Sequence, residues 1–254
     1  ITNPSLETGD LTGWTASGIG LQNNDIFSIK KGTWFLESWT WRGNTIGNAR
    51  VSQKLTALPA GRYRLKAAAQ NIQEDTPKVA QTGAWIFAGL HTEPVTVRAN
   101  YTLEFVQVAD VLEIGFEAKG ATGNWLSVDN FQLEYLSDSF DDVKTEFAAI
   151  IAKAEVLASQ RINAEALQAL NDAIAAAKPL LAQTTTDGWP AAATALEAAI
   201  TTATTSQDVF ARLAAAIAAA QTELDSSSAT EKADYQAAID AAQVVYEADA
   251  TTDA

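Results

Sequence analysis

Near residue 137 the hydrophobic period of this chain changes from two to about 3.6, and that switch restricts its fold more than any other feature. A period of two sends successive side chains to opposite faces, so the first part must form strands with one buried face. A period of 3.6 requires helices that bury a single stripe. At 254 residues the chain is long enough for two ordinary cores. The expected organisation is a multidomain β-then-α chain: an antiparallel β-sandwich of the jelly-roll kind over residues 1–136, then an antiparallel, Ala-rich bundle of about five helices over 137–254.

The strands are expected at 33–41, 49–55, 61–69, 84–88, 95–105, 111–116 and 125–135. In Tyr63, Leu65, Ala67 and Ala69 one face is small or apolar, while Arg62, Arg64 and Lys66 fill the other. The turn Leu58-Pro59-Ala60-Gly61 stands just before them. Seven short strands with no helical segment among them argue for a sandwich.

Charge narrows the partners. Through Tyr135 eleven Lys and Arg face thirteen Asp and Glu; afterwards six face eighteen, so most of the net −14 lies in the second part. A surface so acidic repels phosphate backbones and anionic lipid, and no basic stripe exists to release counterions, which argues against nucleic acid as a partner. No apolar run reaches the roughly 18 residues that a membrane span needs, so membrane insertion is not expected. The chain begins at Ile1, as expected of a mature or excised segment of an exported protein. Without cysteine, disulfides and thiolate metal sites are excluded.

No catalytic signature stands out. The single histidine, His91, falls in the turn-like segment Leu90-His91-Thr92-Glu93-Pro94 and is expected in an exposed loop. Neither a G-x-S-x-G elbow nor an H-E-x-x-H helix occurs. The segment reads as non-catalytic.

Aromatic side chains are the chemistry on offer. Six of the seven tryptophans precede residue 137. Strand parity places Phe35, Glu37, Trp39 and Trp41 on one face, leading into the turn Arg42-Gly43-Asn44. Three aromatics with a carboxylate describe a platform on which a sugar ring packs its axial C–H groups. They equally describe a buried sheet face with one satisfied Glu.

The motifs NPSLETGDLTGW (3–14), ESW (37–39), QKLTALPAGRYRLKAAA (53–69), WIFA (85–88) and NWLSVDNFQLEY (124–135) together resemble the galactose-binding-domain-like jelly rolls used as carbohydrate-binding modules. In particular they resemble those attached to glycoside hydrolases and polysaccharide lyases of gut Bacteroidetes. The resemblance implies that Trp14 and Trp125 pack in the core and that ESW is scaffold. Trp41, Arg42 and Asn44, beyond that motif, become the better carbohydrate-binding candidates, with Trp39 and Trp85 as further ones. It also implies a structural calcium held by Glu7 and Asp129, with backbone carbonyls near Asn3 or Ser5 completing its oxygen shell. The alternative is that the two acids order turns and strand ends.

In the second part, Ser139 or Asp141 is expected to cap a first helix and Asn163 a second. Trp189-Pro190 opens a third, since Pro suits a first helical turn. Ser206 or Gln207 is expected to begin a fourth, and Thr230 a fifth with Tyr235, Ile239 and Val245 inward. LQALNDAIAAAKPLL (167–181) aligns without gaps to FARLAAAIAAAQTEL (210–224), an offset of 43 residues. Such repetition suggests stacking units that act as a spacer. With its Gly-Trp-Pro before a helix, the pattern resembles the FIVAR-type three-helix modules of secreted bacterial glycosidases and adhesins.

The expected function is a non-catalytic carbohydrate-binding module with a helical spacer, part of a larger glycan-degrading or glycan-binding protein that is exported to the cell surface, periplasm or exterior. Its partner would be a poly- or oligosaccharide. The alternative is a structural or adhesion segment that recruits a protein partner through the bundle without binding sugar.

Overall fold

The computed structural model describes residues 1–226 and 232–248. Contacts divide the chain into two compact units, Ile1–Glu146 and Phe147–Ala254.

The first unit is a sandwich of two five-stranded antiparallel sheets. Its strands are β1 (Thr15–Ser17), β2 (Gly20–Gln22), β3 (Phe35–Trp39), β4 (Gly47–Thr56), β5 (Gly61–Ile72), β6 (Ala84–Ala88), β7 (His91–Pro94), β8 (Ala99–Gln107), β9 (Val111–Ala121) and β10 (Trp125–Ser137). One sheet runs β1-β4-β9-β6-β7 and the other β2-β3-β10-β5-β8. Alternation works as expected inside it: Leu36, Leu65, Ala67, Leu126 and Val128 of the second sheet meet Val51, Ile86, Ile114 and Phe116 of the first in one buried cluster.

Three strands exceed the sequence expectation. β1 and β2 are three residues each, too short to show a period. β7 takes up His91, which is therefore a strand residue and half-buried, not an exposed loop residue: it lies 3.3 Å from Glu146 Oε1 and packs on Phe105 at 5.6 Å. The expected strand 95–105 begins only at Ala99, because the Tyr101 hydroxyl accepts from Thr96 and Val97 N–H and donates to Val97 C=O, bending the chain there.

A bulge in β10 decides which of its side chains reach the outer face. Asn130 has a φ of 56°, and the pairing with β5 shifts register between Asp129 and Gln132. The extra residue reverses the alternation, so Val128 points into the core, Asp129 outward, and Phe131 inward again to meet Trp14 at 4.6 Å.

The described residues of the helical part hold four α-helices: α1 (Phe140–Ala158), α2 (Ala164–Ala177), α3 (Trp189–Ser226) and α4 (Lys232–Glu247), with a 3-10 turn at Lys178–Ala182. The Ser139 hydroxyl accepts from Asp142 N–H, and the Asn163 side chain caps α2 on Ala166 N–H. The expected third and fourth helices are one continuous helix, α3. No Gly or Pro interrupts it after Pro190, and Thr201, Thr202 and Thr205 return their hydroxyls to carbonyls four residues back. Ser206 opens no helix; fully buried, it accepts a hydrogen bond from Asn163 N–H at 2.9 Å. In the second unit α3 packs along α2 and α4, and Trp189 stacks on Phe147. The expected start of a last helix at Thr230 lies outside the described residues. Of its proposed inner face only Ile239 is buried; Tyr235 and Val245 are exposed.

Candidate functional site

The site is the outer face of the sheet β2-β3-β10-β5-β8. Opposite the core-facing residues, register aligns two rows across this face: Glu37, Ser127 and Gln70, and beside it Trp39, Trp125 and Ile72. Neighbouring strands are about 4.8 Å apart, so each row spans roughly 10 Å, the scale of one to two sugar rings.

One end of the face is covered. Phe27, from the segment between β2 and β3, is buried against Phe35 and Ala68. Two acids hold that segment down. Glu7 accepts from the N–H groups of Thr33 and Trp34. Asp129, with 0 % exposure, accepts from Lys31 N–H and from Asn130 N–H, both at 2.6 Å. Gly32 must be glycine here: its φ is +88°, and a Cβ would lie 2.5 Å from the Glu7 carboxyl. Burial pushes the Asp129 carboxyl up from 3.8 to about 6; the two amides and Lys30 oppose that rise, and the Glu7 charge adds to it. Lys30 Nζ is in turn held by Asn24 C=O, Thr33 C=O and Asp25.

The same segment delivers Asn24 and Ser28 to the open end. Burial raises the Glu37 carboxyl above its ordinary range, opposed by hydrogen bonding from Asn24 and by the approach of Trp125. Trp125 Nε1–H, itself buried, points to that carboxyl without completing a hydrogen bond. Arg98, placed by the Tyr101 clamp just before β8, donates from Nε to Gln70 Oε1 at 2.6 Å and from Nη1 to Ser28 Oγ at 3.2 Å. Its guanidinium lies over the Trp125 ring, 5.4 Å from the centroid, and burial lowers its pKa. Trp125 is buried, 7 % exposed, as expected of a packed tryptophan, but it stands outside the main core cluster and floors this face.

Loops at the open end raise a wall. Asn124, fully buried, accepts from Glu74 N–H and donates to Thr40 C=O, tying the loop after β3 to the loop after β5. Between that wall and the sheet lies a cavity of about 460 Å³ lined by Glu74, Pro77, Lys78, Arg98 and Trp125.

The sequence candidates divide between two sides of the sandwich. Trp39 and Trp41 meet edge to face at 4.9 Å and are 44 % and 73 % exposed. Arg42 pairs with Glu74 and Asp75, and its hydrogen bonds draw the Glu74 carboxyl below the usual range. Asn44 is exposed in the same turn, its backbone N–H bonded to Trp41 C=O and its C=O accepting from Gln73. Trp85 is elsewhere, on the outer face of the other sheet, paired across strands with Pro94 and Glu117. Sequence reasoning missed Gln70, Arg98 and Ser127. The one available signal was parity, since Trp125, Ser127 and Asp129 alternate as Glu37 and Trp39 do.

No family model matches the chain, and no curated protein matches it. Among solved structures, the carbohydrate-binding module TmCBM61, seen in complex with beta-1,4-galactotriose, is similar at 18 % identity and a TM-score of 0.41, over 54 % of this chain and 97 % of that one. A cyclase from Fischerella sp. TAU is similar at 15 % and 0.41, over 54 % and 97 %. The CBM22-1 xylan-binding domain from Paenibacillus barcinonensis Xyn10C stands at 17 % and 0.35, over 53 % and 93 %. Likeness at this level passes neither ligand nor chemistry to this chain.

Proposed function

We propose that the sandwich is a non-catalytic carbohydrate-binding module of the galactose-binding jelly-roll kind. In this reading the helices are a FIVAR-like spacer, within a larger exported glycan-handling protein. The observation that carries it is the pairing of two exposed indoles, Trp39 and Trp41, with the half-buried Glu37 on one sheet face, above a floor of buried Gln70 and Ser127 that bond to each other. A sugar ring packs C–H groups on an indole face while its hydroxyls take fixed donors and acceptors. Arg42 and Asn44 border the platform. The alternative, an adhesion segment in which every Trp is core, draws no support from a Trp41 exposed at 73 %.

Binding of the whole chain to a glycan array tests this. A hit is expected, and Trp41→Ala should weaken it about tenfold, ~1.4 kcal/mol, with an unchanged melting temperature. Silence across plant, host and microbial glycans would overturn the reading.

A structural calcium at Glu7 and Asp129 belongs to the same proposal. The two acids act on each other electrostatically, and Asp129 is strongly desolvated, so a hard cation would be stabilising there. Both Asp129 oxygens and Glu7 Oε2 accept one amide each and keep a second lone pair for a metal, whereas Glu7 Oε1 accepts two. Calcium should raise the melting temperature relative to chelator; identical melts would leave Glu7 and Asp129 as clasps of the segment between β2 and β3 alone.

A further inference from the structure

The charges around the 460 Å³ cavity do not balance. Its lining holds two cations, Arg98 and Lys78, and one acid, Glu74. Both Glu74 oxygens are already engaged by Arg42, at 3.1 and 3.2 Å. Among the described residues neither Arg98 nor Lys78 forms an ion pair. Glu37 lies on the same face, but strand order separates it from Gln70 by two spacings, roughly 10 Å, and Arg98 lies beyond Gln70.

Arg98 is also oriented. Its Nε and Nη1 bonds to Gln70 and Ser28 fix the guanidinium plane above Trp125, and Nη2 has no protein partner among the described residues. A half-buried guanidinium with a free edge is a poor match for neutral hydroxyls alone. A carboxylate matches the fork in shape and charge. Hydroxyls on the same ligand would find the half-buried Glu37 and the exposed Ser28, and its apolar ring face would find Trp39 and Trp41; Gln70 and Ser127, buried and bonded to each other, support Arg98 from beneath.

We propose that the open sheet face selects acidic glycans, with the carboxylate of a hexuronate residue seated on Arg98 and Lys78 at the rim. The proposal rests on the glycan-binding reading above and names the class of sugar.

The test is calorimetric titration of the whole chain at low salt with tetragalacturonate, an alginate tetramer and an unsulphated heparosan tetrasaccharide, each beside its carboxyl-reduced counterpart. At least one acid form should bind tenfold or more tightly than its reduced form. That preference should shrink severalfold in 0.5 M NaCl and in Lys78→Ala, and vanish in Arg98→Gln with its circular dichroism retained. Should Arg98→Gln fail to fold, Lys78→Ala and the salt series read the same charge. Equal binding of acid and reduced forms, binding of neutral glycans only, or an acid preference that survives the variants would overturn the inference while glycan binding stands. No binding by any sugar, acidic or neutral, would remove both.

Discussion

The two outer faces of the sandwich belong to five-stranded, antiparallel sheets alike, yet one is closed and the other is equipped. On the first sheet Arg50 lies 4.4 Å over Phe87 and reaches Glu113 and Glu117 on the neighbouring strand. Phe87 fills the space above Gly115, so ring, guanidinium and two carboxylates satisfy one another. On the second sheet Arg98 has the same relation to Trp125, a cation over an indole, but no carboxylate among the described residues completes it. A face whose charges are matched internally has nothing left for a ligand. A face with a raised Glu37, exposed indoles and an Arg98 that forms no ion pair among the described residues leaves those groups open to the ligand proposed above.

Asp129 separates the faces most strongly. Its pKa is higher folded than unfolded, so the native state holds the proton more tightly. The stabilisation is therefore present below about pH 4 and is lost as pH rises through about 6. At ~1.4 kcal/mol per unit, this group alone should cost the native state about 3 kcal/mol between those limits. Unfolding in chelator, wild type against Asp129→Asn, checks it: the variant should gain relative stability by that order from pH 4 to pH 7. Parallel curves would show that the covered end of the open face carries no such strain.

Next in size is Gly115→Ala on the closed face. The new Cβ would lie 2.0 Å from Val51 C=O and 2.9 Å from the Phe87 ring. Overpacking of this kind costs about 2 kcal/mol, read as a fall in melting temperature of about 5 °C. Gly20→Ala on the open face meets nothing within 4 Å and should change stability by less than about 0.5 kcal/mol. Equal costs would erase the distinction. Smallest of all, Trp85→Ala should leave glycan affinity unchanged, because its indole stands on the closed side. A loss comparable with Trp41→Ala would move the site.

How much of this was legible depended on whether a residue's partner was near in sequence. Strand runs with period two were readable, and so were the Asn163 cap and the pairing of Trp39 with Trp41. The repeat misled for a physical reason. Asn163 and Ser206 occupy the same position in the two copies, 43 residues apart, and the first caps a helix as expected. The second spends its hydroxyl on the first one's backbone, so α3 runs through it. Pro179 ends α2 in one copy, whereas the matching position in the other, Thr222, continues the helix.

The sequence by itself determined that strands would precede helices, that the strands would share a core of alternating Leu, Val, Ile and Phe, and that aromatic surplus lay in the first part. Periodicity is a local property of the chain, and local properties survive without coordinates. Tertiary structure alone decided which aromatics from different strands share a face. Trp85 and Trp39 are alike in sequence context but fall on opposite sheets, and Arg98 reaches Trp125 only because β8, β5 and β10 are neighbours. The bulge at Asn130 left Asp129 outward by regular alternation and turned Phe131 inward, one residue reversing the parity that any reading of alternation must assume.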